Sequence, residues 1–233
     1  MPELPARKEF VIKALGNPEV TGSLILQELL GNVLARRYGL NTPEPAIVVI
    51  SDAFANSTNP LLTRFGFQIR PGIAAGCEFL RGGLSFPPSE ISSAPEELAA
   101  RTLLYGFDLA LQNPDRLPNR PNCAMKGTKL IAFDFDQCFS FLHLIGNLGA
   151  PWEVSKHGIA SKHLCHRGIQ AKKDLVSWTD NIDAMVALSD NVLELMTSWI
   201  PDDWDSNANK VRSHLSAIRE HLGVFELELQ GSV

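Results

Sequence analysis

In the stretch NPDRLPNRPNCAMKGTKLIAFDFD, residues 113–136, Asp115, Asn119 and Asn122 sit in a loop stiffened by prolines, and Asp134 follows the apolar run LIAF. Asp and Asn offer hard oxygen donors, which suit Mg²⁺, an ion usually held by one or two carboxylates together with substrate phosphates. CAM and LIAF flank KGTK, so residues 123–126 and 129–133 are expected to pair as a hairpin across a turn at Gly127. Counting outward from that turn sets Asn122 opposite Asp134, with Asp115 in the loop just before. The chemistry open to such a set is metal-assisted handling of a phosphate. The bland alternative is turn formation, the usual role of Asp and Asn beside prolines such as Pro114, Pro118 and Pro121. Asp134 fits it less well, because a carboxylate set between apolar residues is half-buried and needs a partner.

These residues need elements to position them. EFVIKALGN reads as a strand, and TGSLILQELLGNVLARRYGLNTPEP as the clearest helix. Thr21 or Ser23 can cap that helix, Arg36 and Arg37 suit its last turn, Gly39 suits a left-handed cap and Pro43 bars resumption. EPAIVVIS is a β-branched strand. The segment DAFANSTNPLLTRFGFQIRPG reads as loop-rich, AAGCEFLRGG as a short extended piece ending in a Gly-Gly linker, and residues 84–95 as a surface loop. PEELAARTLLYGFDLALQN is an amphipathic helix with Pro95 at its start, and it delivers the loop of Asp115. Residues 171–222 carry at least two further helices, the second beginning near Pro201.

Composition narrows the class. With 233 residues, a net charge of -5 and no Lys/Arg run, the chain offers no general electrostatic reason to bind nucleic acid or an anionic membrane. Cys77, Cys123, Cys138 and Cys165 are scattered without a CxxC pair, which favours reduced thiols over a disulfide framework. KHLCHRG gathers His163, Cys165 and His166, but no fourth zinc ligand lies at a typical spacing. Trp152, Trp178, Trp199 and Trp204 read as helix-packing residues. No apolar run is long enough to span a bilayer and no signal peptide opens the sequence, so a soluble cytoplasmic protein is expected.

NPDRLPNRPN followed by LIAFDFDQCF resembles the HipA-like kinase family, within the wider protein-kinase-like group. FVIKALGNPE is similar to the strand bearing the nucleotide-binding lysine, LQELLGNVLARRYGLNTPEPAIV to the helix and strand after it, and GCEFL to the hinge. The resemblance implies an α+β, two-lobed protein-kinase-like fold, with a reduced N-lobe over residues 1–82 and a mainly helical C-lobe over 83–233. It implies that Lys13 contacts ATP phosphates, that Glu28 orients Lys13, and that backbone near Glu78 to Leu80 receives adenine. By the same resemblance Asp115 is the catalytic residue, Asp134 holds Mg²⁺, and Asn122 or Asn119 is the second metal ligand. The function implied is ATP- and Mg²⁺-dependent phosphoryl transfer to a hydroxyl, Ser or Thr of a protein, with an unidentified protein or small molecule as acceptor. Position 120, where kinase-like loops place the metal-binding Asn, is Arg, and DFD puts Asp136 where glycine is usual. No full Gly-rich hairpin precedes Lys13, so clamping of the phosphates is expected to be weak, rebuilt elsewhere or absent. Two other readings stay open: a nucleotide-binding module without catalysis, and a small-molecule kinase.

Overall fold

The computed structural model describes residues 8–88, 90–143, 149–198, 200 and 207–233. Strands Phe10–Lys13 (β1), Pro45–Ile50 (β2) and Gly72–Glu78 (β3) form an antiparallel sheet in the order β1-β3-β2. Lys13 pairs with Ala75 and Val11 with Cys77, so by strand alternation these four residues share one face. Ala14, Ile50 and Ala74 turn the other way and form a small core with Ala55. Ala55 belongs to a helix, Asp52–Leu62 (α2), within the segment expected to be loop. Asn56, Ser57, Thr58 and Asn59 are weak helix formers and Pro60 reads as a breaker. The helix forms because Ser51 Oγ caps Phe54 N at 3.2 Å and burial of Ala55 anchors it. Asn59 then grips the Ile69 backbone through both amide atoms, at 3.0 and 2.8 Å.

Helix Gly22–Arg37 (α1) is capped by Thr21 Oγ1, which accepts from Leu24 N at 3.2 Å, and it closes on Arg36 and Arg37. Leu26, Leu29, Leu30 and Leu34 are buried, and so are Gln27, Glu28 and Asn32, so the helix is enclosed on nearly every side. Gly31 makes this possible beside the DFD segment, because a Cβ there would lie 2.7 Å from Phe135 Cβ. Helix Pro95–Ala110 (α3) runs through the same core, which joins α1, the hairpin and the C-terminal helices. Tyr38 OH, at the end of α1, donates to Asn181 at 3.1 Å. Asn181 lies on Thr179–Ala187 (α5), which follows the short helix His166–Gln170 (α4). Asp190–Thr197 (α6), Ala208–Glu220 (α7) and Leu222–Gly231 (α8) complete the helical part. Trp199, Trp204 and the expected helix start near Pro201 lie outside the described residues. Trp178 is buried, and Trp152 stacks on His221 with centroids 3.5 Å apart.

The second sheet carries the hairpin. Leu84–Ser85 (β4), Cys123–Lys126 (β5) and Lys129–Ala132 (β6) lie in the order β4-β5-β6. Residues 84 and 85, expected in a loop, instead pair with Lys126 and Met125. The hairpin register differs by one residue from the expected one. Lys126 pairs with Lys129 across a two-residue turn, so Cys123 meets Ala132 and Asn122 O accepts from Phe133 N at 3.0 Å. Asn122 is thus opposite Phe133 rather than Asp134. Gly127, with φ 62°, fills the first turn position, where the primed turns that match strand twist need positive φ.

Candidate active site

Lys13 leaves the end of β1 and its ammonium meets three carboxylates: Glu28 Oε2 at 3.1 Å, Asp134 Oδ1 at 2.5 Å and Asp136 Oδ2 at 2.7 Å. Glu28 reaches it from α1 and also accepts from Phe135 N at 2.8 Å. One carboxylate therefore fixes both the lysine and the backbone between the two aspartates. Burial works against the charge on Lys13, but Glu28, Asp134 and Asp136 outweigh it and hold its pKa above that of a free lysine. Burial raises the Glu28 pKa, against the pull of the Lys13 ammonium and the Phe135 N–H. The Asp134 side chain keeps 41% of its surface exposed, against 6% for Glu28. Glu28 is a buried support, whereas Asp134 is open to a ligand.

A cleft of about 350 Å³ begins at this cluster. Val11, Pro43, Cys77, Phe79, Leu84 and Phe133 give it apolar walls, with Lys13, Glu28 and Asp134 at its charged end. Glu78 and Leu80 line it too. Glu78 N and Phe79 N are committed to Glu44 O and Glu9 O at 2.8 and 2.7 Å. Leu80 lies just past β3, where the backbone leaves the ladder.

Asp115 sits at the mouth of the loop after α3. Its N–H donates to Asn113 Oδ1 at 3.2 Å, an Asx turn that sets the backbone. Its two carboxylate oxygens are taken by Arg120 Nη1 at 2.8 Å and Asn122 Nδ2 at 2.9 Å. Asn119 is exposed in the turn closed by Leu117 and Arg120, whereas Asn122 is half-buried. The structure brings Lys13, Glu28 and Asp134 together, and it joins Asn122 to Asp115. It does not bring Asn119 to either group. Asn122 and Asp134 both adopt positive φ, 43° and 59°, a region that Asn and Asp tolerate better than other types with side chains.

Beneath these groups lies a buried network. Asp108, on α3, accepts from Arg116 Nε and from His163 Nε2 through Oδ2, and from Asn113 Nδ2 through Oδ1. Arg116 then donates through Nη1 to the carbonyls of Asn122 and Phe133, and its guanidinium lies 5.3 Å from the Phe135 ring centroid. Arg116 thereby ties the loop of Asp115 to both strands of the hairpin. Its neighbours hold Asp108 below the ordinary carboxylate range despite burial, which also keeps His163 below that of a free imidazole. His163 Nδ1 accepts from Cys165 N at 3.1 Å, so both ring nitrogens serve the fold. Arg116 follows Asp115 directly in sequence, but Asp108 and His163 carry no local signal of their role.

The residues present fit a divalent cation. Asp134 and Asp136 already share one cation, the Lys13 ammonium, and Asn122 donates through its nitrogen, which keeps its amide oxygen as an acceptor. Among the described residues, no group of three or more His, Cys, Asp or Glu forms a ready-made metal cage. Mg²⁺ does not require one, because substrate phosphates complete its shell.

The family model for HipA-like kinases matches residues 6–228. The chain belongs to the HipA-like kinase family. The match runs from β1 into α8, and the α+β kinase-like fold brings Lys13 on β1 into contact with Asp134, just past the hairpin. A solved structure described as that of a Helicobacter pylori proinflammatory kinase CtkA is similar over 94% of this chain and 90% of its own, at 10% identity and a TM-score of 0.46. No curated protein matches the chain in sequence. Among the described residues of this HipA-like kinase, no helix is long and apolar enough to cross a membrane.

Proposed function

We infer that this HipA-like kinase binds ATP with Mg²⁺ in the cleft and transfers the γ-phosphoryl group to a hydroxyl, a Ser or Thr of a protein. The observation that carries this reading is the meeting of Lys13, Glu28 and Asp134 at the charged end of an apolar-walled cleft. The walls suit a purine, and the stretch at Leu80 offers backbone where the strand ladder ends. Lys13 binds the phosphates and Glu28 orients it. Asp134 and Asn122 hold the metal, which supplies charge neutralisation when bound. Asp115 accepts a hydrogen bond from the acceptor hydroxyl and aligns it for in-line attack, so that positioning provides most of the rate. Gly82 and Gly83, at φ 58° and 64°, mark the crossing between residues 1–82 and 83–233 that we take as the two lobes.

One observation favours a nucleotide-binding module without transfer. Arg120 occupies Asp115 Oδ1, and an acceptor must displace it. A transfer assay with γ-labelled ATP and Mg²⁺, run beside nucleotide calorimetry, separates the readings. Asp115→Asn should lose transfer by about 100-fold or more and keep nucleotide affinity within about threefold. Nucleotide binding without any transfer by the wild type, over protein and small-molecule acceptors, would favour the inactive module.

A further inference from the structure

Asp136 stands two residues beyond Asp134, where D-F-G and related motifs place glycine. Its side chain is turned into the site. Oδ2 accepts from Lys13 Nζ at 2.7 Å, and Oδ1 accepts from Gln137 Nε2 at 3.1 Å. A lysine ammonium has three N–H donors. In this structure Glu28, Asp134 and Asp136 take one each. Lys13 therefore has no donor left for a phosphate, and a glycine at position 136 would have left it one.

Charge points the same way. Glu28, Asp134 and Asp136 surround a single ammonium, while Arg120 balances Asp115, so the cluster around Lys13 carries two uncompensated negative charges. A metal-free nucleotide brings more negative charge to a site whose lysine is already engaged. A nucleotide with a divalent cation brings its own compensation, and Asp134 and Asp136 can then exchange the ammonium for the metal. That exchange frees Lys13 to turn to the phosphates.

We propose that Asp136 is a positioning residue that holds Lys13 among the carboxylates until a nucleotide arrives with its metal, so that the enzyme admits nucleotide as its divalent-metal complex. The proposal rests on the nucleotide-binding reading above. Asp134 holds the same ammonium, and Asp136 adds the acceptor that takes its third N–H, at the position where related motifs have glycine.

The test is calorimetric titration of the full chain with ATP in EDTA and with ATP plus Mg²⁺. Wild type, Asp136→Asn and Asp136→Gly are compared, each first checked for cooperative thermal unfolding. Asp136→Asn removes one charge at constant shape, and metal-free ATP should bind about fivefold more tightly than to wild type. The affinity gain on adding Mg²⁺ should shrink by at least the same factor. Asp136→Gly should behave likewise, and whichever variant folds decides the matter. In parallel, an amine-acylating reagent should label Lys13 several-fold faster in Asp136→Asn without nucleotide. If wild type binds Mg²⁺-ATP while the variants show unchanged metal-free affinity and unchanged Lys13 labelling, the proposal is overturned and the nucleotide reading stands. If wild type binds ATP neither with nor without Mg²⁺, the nucleotide reading itself fails and the proposal with it.

Discussion

Asn122 shows how a single residue joins two parts of the site. Its side-chain nitrogen holds Asp115 Oδ2, its carbonyl accepts from Phe133 N and from Arg116, and its φ is 43°. Replacing it by Ala removes the amide oxygen that we propose faces the metal, a partner of Asp115 and a residue type suited to positive φ. We expect Asn122→Ala to weaken Mg²⁺-ATP binding about tenfold and to lower stability by about 1 kcal/mol. Asn119→Ala, on an exposed turn, should change each by less than half as much. Calorimetry and urea melts of the two variants check this, and a larger effect from Asn119 would reassign the metal ligand. The sequence already held the types Lys13, Glu28, Asp115 and Asp134 in a telling order. It could not separate Asn119 from Asn122, because the choice depends on where the loop closes. Leu117 and Arg120 close it early and leave Asn119 outside.

Among the elements, the hairpin and the loop before it act as one unit because Arg116 links them. Asp108 and Arg116 are fully buried, so their pairing is unscreened and each leaves the other uncompensated if removed. Asp108→Asn should destabilise the fold by about 3–5 kcal/mol in chemical denaturation, and a paired apolar replacement of Asp108 and Arg116 should recover part of that loss. A loss below about 1 kcal/mol would show that the network is not a clamp. Sequence patterning revealed β1, α1, β2, α3 and the hairpin because their apolar periodicity or β-branching is strong and their ends carry Gly or Pro. It missed α2, whose Asn, Ser and Thr content conceals a helix anchored through Ser51 and Asn59. It missed β4 because two residues carry no period. The one-residue register error has a similar origin, since KGTK allows more than one turn length and only pairing settles it. Asp108, on α3, and His163 meet in space, 55 positions apart, so no local pattern announces them.

For the whole molecule, the long core runs from α1 through α3 to the C-terminal helices, and buried histidines make it sensitive to acid. His214 is buried on α7, its Nε2–H donates to Ala110 O at 2.7 Å, and its ring stacks on Phe141 at 4.1 Å between centroids. Burial lowers its pKa from 6.5 to about 4. The unfolded chain binds this proton more readily, so stability is full above about pH 6.5 and is lost as pH falls toward 4. Between pH 7 and pH 5 the loss from His214 is about 2 kcal/mol. His163, shifted the same way, adds to it. Denaturation at both pH values should show a smaller difference for His214→Gln than for wild type, and an equal difference would remove His214 as the cause.

The central claim is that the cleft lined by Lys13 and Asp134 binds Mg²⁺-ATP through these two residues. Asp134, whose carboxylate is open to solvent at the charged end of the cleft, is the group on which we expect metal-dependent affinity to turn. Calorimetric titration of Mg²⁺-ATP into wild type and Asp134→Ala tests it most directly. We predict saturable binding at one site per chain in wild type and a loss of at least about 100-fold in Asp134→Ala, while both proteins unfold cooperatively. Equal affinity in the two proteins, or no binding to wild type, would contradict the account.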